Sequence, residues 1–266
     1  MKKGRILILL LLTAALTAGV SLALDSQHEP QPAVSAPLYP TSTSTSTSTT
    51  SSVSKPLTTQ TQPRATKKLL NVPYISQKGA YPTGCESCSA VMLLQYLGLD
   101  ISVNTFVDEH LICGGLWWQD GQLYGDDPNQ CFIGSPYDIN SYGCFAPVIA
   151  SAYKSILPSE TYTVSTLYGK TLAELCDTYV SQGMPVLTWV TINMLPSYGG
   201  STWTLRDGSV FQWPAQEHCM VLVGYDENGF YFNDPYNSNG LVYYSRALAE
   251  QRYAEIGSQA VVVVKK

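Results

Sequence analysis

Positive charge and histidine are both scarce in this sequence, which narrows its possible functions. The 266 residues contain 15 Lys and Arg against 20 Asp and Glu, and only three histidines. From residue 67 onward the balance is 10 basic against 18 acidic residues, a net charge of −8 with histidine neutral. Nucleic-acid binding needs a basic face to neutralise phosphates, so we predict no nucleic-acid partner. The sequence also lacks a glycine-rich phosphate loop, and we predict neither a cofactor nor a metal.

Long hydrophobic runs are absent except at the N-terminus. A basic start, Met1-Lys2-Lys3-Gly4-Arg5, precedes an apolar stretch at residues 6–24 that ends in small residues, as in an export signal. Ser21-Leu22-Ala23 fits a cleavage site, but 19 residues also approach the roughly 20 that span a bilayer. We assign residues 1–24 to a signal peptide or membrane anchor. We therefore expect an extracellular or cell-surface protein with a possible membrane tether.

Residues 25–66 have almost no apolar side chains to bury. They are rich in Ser, Thr, Pro and Gln and include an alternating Thr–Ser run at residues 41–49. Such a composition cannot form a core and is typical of a disordered linker. The remaining residues, 67–266, are enough for one domain, which we expect to be a monomer.

Hydrophobic periodicity in the domain places helices before strands. We predict a short strand at residues 69–75, helices at 85–97, 103–111, 146–156 and 171–182, and strands at 185–191, 218–225, 229–233, 241–244 and 260–264. Two aromatic-rich stretches, residues 112–143 and 194–216, are predicted to be long loops. This order indicates an α+β fold with a leading helical part packed on a later antiparallel sheet.

Cys85 lies where a reactive thiol is easiest to form. It follows Gly84 and opens an apolar-periodic helix, and helix N-termini carry unpaired N–H groups with partial positive charge. A cysteine there can have its pKa lowered from about 8.5 to roughly 3.5–7.5. We therefore predict a thiolate nucleophile at Cys85.

One histidine and one carboxylate could complete the site. His218 follows Cys85 by 133 residues and begins an apolar strand, and the spacing matches the roughly 130–150 residues of papain-like enzymes. A turn at Asp226-Glu227-Asn228-Gly229 would return the chain as a hairpin and bring Asn233 or Asp234 beside His218. The spacing predicts His218 as a base that one of these two residues orients, and we favour Asp234.

Residues 69–264 resemble a bacterial C39-like peptidase domain, a branch of the papain-like cysteine proteinases. The resemblance rests on Gln77, Gly84-Cys85-Glu86, the strand that begins at His218, and Asp234-Pro235. It implies a papain-like fold in which Cys85 is the nucleophile, His218 the general base, Asp234 its orienting acid and Gln77 an oxyanion-hole side chain. Many C39-like sequences have Cys-Gly-Pro at the nucleophile, where this chain has Cys85-Glu86-Ser87.

The cysteines also permit other chemistry. Cys85 and Cys88 form a C-x-x-C pair at a helix start, as in thiol–disulfide exchange, and together with His110 and Cys113 they could bind zinc. The sequence lacks the βαβ context of redox folds, and exported cysteines tend to oxidise. Seven cysteines leave one unpaired if the others pair. We expect a disulfide between Cys113 and Cys131 that holds the first aromatic stretch.

Aromatic residues concentrate in the two long stretches. Trp117, Trp118, Trp203 and Trp213 could line a substrate groove, since aromatic surfaces bind peptides and stack on sugars. They could equally form the packing that holds two loops down.

Together these features predict an exported cysteine hydrolase, a peptidase or amidase that cleaves an amide bond through Cys85, His218 and Asp234 and a thioester intermediate. Its substrate would be a peptide or a peptidoglycan-derived amide. The alternative is a catalytically silent surface module that binds wall glycan or peptide.

Overall fold

The described part of the molecule begins just before the predicted domain. A computed structural model describes residues 66–236 and 240–266. The predictions for residues 1–24 and, apart from Thr66, for the linker lie outside the described residues. None of the described helices combines the length and apolarity needed to cross a membrane.

The elements follow one another in a mixed order. The helices are α1 (Cys85–Tyr96), α2 (Val103–Thr105), α3 (Ala146–Ile156), α4 (Leu172–Thr178) and α5 (Arg246–Glu255). The strands are β1 (Lys68–Leu69), β2 (Cys113–Gly114), β3 (Leu116–Gln119), β4 (Gln122–Gly125), β5 (Phe132–Ile133), β6 (Tyr162–Tyr168), β7 (Val186–Thr191), β8 (Tyr198–Thr204), β9 (Val210–Ala215), β10 (Glu217–Tyr225), β11 (Gly229–Asn233), β12 (Leu241–Ser245) and β13 (Gln259–Lys265).

A seven-stranded antiparallel sheet forms the centre of the fold. Its order is β12-β11-β10-β7-β13-β6, and β1 pairs with one end of β10. Every residue of β7 and β10 is buried, so the middle of the sheet is covered on both faces. Helix α1 packs on β10 and β7, α3 on β6 and β13, and α5 on β7, β11 and β12.

Helix α1 is the central helix of the domain. Its first ten residues are all buried, which is the pattern of a helix surrounded by the core. The predicted helices at 85–97 and 146–156 correspond to α1 and α3. The predicted helix at 103–111 is α2 followed by a π-helical turn at Phe106–His110, and the one at 171–182 is α4 followed by a 3₁₀ turn at Val180–Gln182. Gly183, with φ of 88°, ends that turn in a conformation that glycine adopts most easily.

The prediction of two aromatic loops is wrong. Both stretches contain strands, and they associate in a four-stranded sheet of order β3-β4-β8-β9. The two stretches meet where β4 and β8 pair in parallel at Tyr124 and Thr204. Hydrophobic periodicity within either stretch alone cannot reveal a pairing partner about 80 residues away.

Candidate active site

A tight approach of two chain segments sets the position of Cys85. Gly84 is the N-cap of α1, and a Cβ at this residue would lie 2.7 Å from the Cβ of Tyr81. Glycine is therefore required for the chain to enter the helix at this point. Cys85 is the first residue of α1 and is 6% exposed.

One hydrogen bond ties the start of α1 to the strand that carries His218. Ser89, one turn after Cys85 on the same helix face, donates its hydroxyl to the carbonyl oxygen of Cys219 at 3.0 Å. This hydrogen bond fastens the first turns of α1 to β10 at the residue that follows His218. Glu217, the residue before His218 on β10, has a carboxylate oxygen within 4.8 Å of Sγ of Cys85, so this end of β10 lies close to the helix start.

His218 and Asp234 form a buried pair. Nε2 of His218 lies 2.8 Å from Oδ1 of Asp234, and each side chain is 1% exposed. The hairpin of β10 and β11 produces this contact, since Val221 pairs with Asn233 and Asp234 follows directly. The same Oδ1 accepts the backbone N–H of Tyr236 at 2.8 Å, which fixes the carboxylate. Asn233, the other candidate, is directed away and donates to the carbonyl oxygen of Val72 at 3.0 Å.

Gln77 lies in a loop that is hydrogen-bonded to two neighbouring segments of the chain. Its backbone N–H donates to the carbonyl oxygen of Pro235 at 3.0 Å, and its Nε2 donates to that of Pro82 at 3.1 Å. One contact joins it to the residue after Asp234 and the other to the turn before Cys85. The side chain is 4% exposed. A primary amide has two N–H donors, so Nε2 retains one for another acceptor.

The Cys85 thiol is hydrogen-bonded to Glu86, a residue for which no role was predicted from the sequence. Sγ of Cys85 donates to Oε2 of Glu86 at 3.1 Å, and no hydrogen bond of the described residues joins it to His218. Oε1 of Glu86 accepts the backbone N–H of Cys144 at 2.6 Å. The carbonyl oxygen of Cys144 accepts from Nε1 of Trp189 on β7 at 2.8 Å, so the loop that holds Glu86 is itself fixed to the sheet.

A second carboxyl group lies beside the first. Sγ of Cys85, a carboxylate oxygen of Glu86 and one of Glu217 all lie within 4.8 Å of one another. Burial raises the pKa of Glu86 to about 7, although the Cys144 N–H lowers it. Burial, and then the neighbouring Glu86, raise the pKa of Glu217 well above its ordinary value. Like charges this close in a buried site disfavour ionisation of both carboxyl groups.

The expected lowering of the Cys85 pKa is wrong for this arrangement. Burial raises the pKa of the thiol well above its ordinary value, and Glu86 and then Glu217 raise it further. Desolvation and two carboxyl groups outweigh the partial positive charge of the helix start. The only sign of this raised pKa in the sequence is the acidic residue in Cys85-Glu86-Ser87, where many C39-like sequences have Cys-Gly-Pro.

The rival cysteine constellations are not assembled. Cys88 is fully buried, and Nδ1 of the half-buried His110 pairs with Oγ of Ser155 at 2.9 Å. The described residues that could hold a cation together are Cys85, Glu86 and Glu217, not the rival set of Cys85, Cys88, His110 and Cys113. All seven cysteines are free thiols, so the expected disulfide between Cys113 and Cys131 is wrong.

The four tryptophans have different environments. Trp203 is 1% exposed, packs in the aromatic cluster of the four-stranded sheet and donates its Nε1–H to the carbonyl oxygen of Asp126, so it belongs to the packing and not to a groove.

The other three tryptophans are more accessible or border a cleft. Trp117 stacks on Tyr124 beneath the guanidinium of Arg206. Trp118 is 71% exposed. Trp213 is mostly buried but borders the cleft that contains Glu217.

Comparison with known proteins identifies the class and then the family. The fold is the predicted α+β, papain-like cysteine proteinase fold. Residues 69–261 match the model of the Peptidase_C39 like family, so the chain belongs to that family. It is 31% identical to the uncharacterized protein YvpB of Bacillus subtilis (strain 168) over 182 residues, 68% of this chain and 69% of YvpB. The crystal structure of a protein from Bacillus anthracis classed as a C39-like peptidase covers 75% of this chain and 98% of its own, with 30% identity and a TM-score of 0.66.

Proposed function

We propose that the domain is a cysteine hydrolase, a peptidase or amidase that cleaves an amide bond through Cys85, His218 and Asp234. The observation that carries the proposal is the buried 2.8 Å contact between Nε2 of His218 and Oδ1 of Asp234 on the strand fastened to the Cys85 helix. A carboxylate acceptor fixes the tautomer with a proton on Nε2 and leaves Nδ1 as the basic nitrogen.

The reaction would begin with transfer of the Cys85 proton to Nδ1 of His218. The thiolate then adds to the amide carbonyl, and His218 returns the proton to the leaving amine as the C–N bond breaks. Water, deprotonated by His218, releases the acyl group from the thioester. The backbone N–H of Cys85 and the remaining N–H of Gln77 would stabilise the oxyanion.

Glu86 would control when the thiolate can form. As a carboxylate it accepts the S–H of Cys85 at 3.1 Å and favours the neutral thiol. As a carboxylic acid with its proton on Oε2, it can donate its O–H to sulfur, which favours the thiolate. We therefore propose that the active form carries a protonated Glu86.

The setting proposed for this activity is outside the cell. The basic start and apolar stretch of residues 1–24 support export, with or without retention as an anchor, and residues 25–66 would carry the domain away from a membrane. The acidic surface supports a monomeric hydrolase of peptides or peptidoglycan-derived amides over any nucleic-acid role. Fractionation of cells and N-terminal sequencing of the mature protein would test export and cleavage.

The activity is tested by incubating the purified protein with a peptide library and with peptidoglycan fragments, and sequencing the products by mass spectrometry. The Cys85→Ala variant is the matched control. New termini made by the parent protein and not by this variant support the proposal. If the parent protein cleaves nothing but still binds peptide or glycan, the domain is the silent surface module.

A further inference from the structure

A cleft of about 390 Å³ opens next to the two buried carboxyl groups. Glu217 lies in its wall together with Tyr142, Tyr198 and Trp213, and no lysine or arginine of the described residues lines it. Tyr142 and Trp213 contact each other edge to face, with ring centroids 5.5 Å apart, so the aromatic side of the cleft is held rigid. The cleft thus combines aromatic walls with a carboxyl group, and its own residues supply no cation.

Glu217 lacks the partner that a buried carboxyl group normally has. The side chain is 7% exposed, and among the described residues its Oε1 is buried without a hydrogen-bond donor. Buried polar atoms are nearly always bonded, so an orphaned one at a cleft indicates a ligand. The neighbouring Glu86 cannot supply a hydrogen bond to it while its two oxygens accept from Cys144 and Cys85.

The chain leaves room for this pair of carboxyl groups. A Cβ at Gly143 would lie 2.3 Å from Oε1 of Glu86 and 3.3 Å from Oε2 of Glu217. Any larger residue at this position would push both groups aside. Two adjacent carboxyl groups can be compensated by a shared proton or by a bound cation, and aromatic walls favour an organic cation.

We propose that Glu217, with Glu86 behind it, binds a primary ammonium group of the substrate next to the bond that Cys85 attacks. The inference rests on the proposed hydrolase function, because it names the substrate of that same site. An ammonium group has three N–H donors, one of which can bond the orphaned Oε1 of Glu217 as a carboxylate while Glu86 keeps its proton.

The position of the pair limits which ammonium group fits. A carboxylate oxygen of Glu217 lies within 4.8 Å of Sγ of Cys85. In an acyl residue attached to sulfur, the α-amino nitrogen is only two bonds from the carbonyl carbon and comes within hydrogen-bonding reach of such an oxygen. A lysine side chain reaches the same oxygen only when it folds back from its own α-carbon. The geometry therefore favours a free α-ammonium group over a lysyl ε-ammonium group.

Calorimetric binding to the full-length Cys85→Ala variant tests the proposal without requiring turnover. The ligands are alanine amide with a free α-amine, N-acetylalanine amide, and N-acetyllysine amide with only an ε-amine. Charged hydrogen bonds are worth about 1.5–3 kcal/mol, so a ligand with a bound ammonium should bind about tenfold or more tightly than N-acetylalanine amide. Tight binding of alanine amide assigns the α-ammonium group, and tight binding of N-acetyllysine amide alone assigns the ε-ammonium group.

Adding Glu217→Gln to Cys85→Ala should abolish the preference, while Glu227→Gln, in an exposed turn, should leave it intact. Equal binding of the amine and its acetylated form overturns the proposal even if the double variant fails to fold. So does binding of Zn²⁺ that depends on Glu217 when neither amine binds. If the parent protein hydrolyses none of the substrates tested, the proposed function is refuted. The binding results do not depend on hydrolysis and would still decide whether Glu217 binds an ammonium group.

Discussion

The thiol of Cys85 donates its proton to Oε2 of the adjacent Glu86 at 3.1 Å, although the helix geometry alone favours a thiolate. In this arrangement Glu86 favours the neutral thiol, because it accepts the S–H and helps to raise the pKa of Cys85.

The reactivity of Cys85 should depend on Glu86 in a defined pH range. Burial raises the pKa of Glu86 to about 7, so above that pH its negative charge favours the thiol and below it the charge is absent. Glu86→Gln removes the charge at every pH, while burial keeps Glu217 neutral. We expect Cys85 in this variant to react with iodoacetamide about tenfold faster than the parent at pH 8, and at a similar rate at pH 5. Equal rates at pH 8 would exclude this role for Glu86, and Glu109→Gln, at an exposed residue, is the control.

The same carboxyl group should make the domain less stable as the pH rises. The pKa of Glu86 is raised in the folded state above its unfolded value near 4.3, so between these values the folded state binds more protons. Stability is then highest at the acid end of this interval and falls as the pH rises through about 7. We expect the melting temperature to drop by several degrees between pH 5 and 8, and to drop less in Glu86→Gln. A melting temperature that rises across this interval in the parent protein and equally in the variant would contradict the assignment.

The sequence predicted the contact between His218 and Asp234 better than the surroundings of Cys85. The hairpin between residues 218–225 and 229–233 brought Asp234 to His218 because turn chemistry and strand alternation are local signals. Strand β6 and helix α5 were missed, since β6 is a half-exposed edge strand and α5 buries Arg252, whose Nε donates to the carbonyl oxygen of Met194. The contact between Glu86 and Glu217 joins residues 131 positions apart, and the sequence alone gives no sign that both carboxyl groups turn inward.

His218 and its orienting acid should contribute unequally to catalysis. A general base contributes on the order of 10²- to 10⁴-fold, so we expect His218→Ala to lose at least that much of kcat and Cys85→Ala to lose all hydrolysis. Asp234→Asn should retain more activity than Asp234→Ala, because an asparagine oxygen can still accept the N–H of His218 and of Tyr236. Kinetics on a cleaved peptide, with circular dichroism to verify folding, gives these values. If Asp234→Asn and Asp234→Ala were equally active, hydrogen bonding to residue 234 would not orient the histidine.

Gln77 should act on the transition state and not on substrate binding. Its Nε2 uses one N–H for Pro82 and keeps the other for an oxyanion. Loss of one such donor typically costs about 10²- to 10³-fold in kcat, and we expect Gln77→Ala to show this loss with KM nearly unchanged. Gln130→Ala, at an exposed residue, is the matched control and should keep full activity. A rise in KM without loss of kcat would instead place Gln77 in ground-state binding.

Alanine substitutions of two tryptophans in the four-stranded sheet should distinguish a ring that packs in the interior from a ring that is exposed at the surface. Trp203 is 1% exposed, has neighbouring rings at centroid distances of 4.8 Å (Phe211) and 5.3 Å (Tyr142), and donates Nε1 to Asp126. Its replacement by alanine leaves a cavity, and we expect the free energy of unfolding to fall by about 3–5 kcal/mol. Trp118 is 71% exposed, and its replacement should change this free energy by no more than about 0.5 kcal/mol.

Urea denaturation followed by circular dichroism measures both changes, and activity on the same peptide separates the roles further. Trp118→Ala with unchanged stability and a raised KM would show that this exposed ring contacts substrate. Trp118→Ala with unchanged stability and unchanged KM would limit the aromatic contacts of the substrate to the cleft beside Trp213. Trp203→Ala with unchanged stability would contradict the packing that the buried ring indicates, because a hole of that size in a rigid aromatic cluster cannot close without cost.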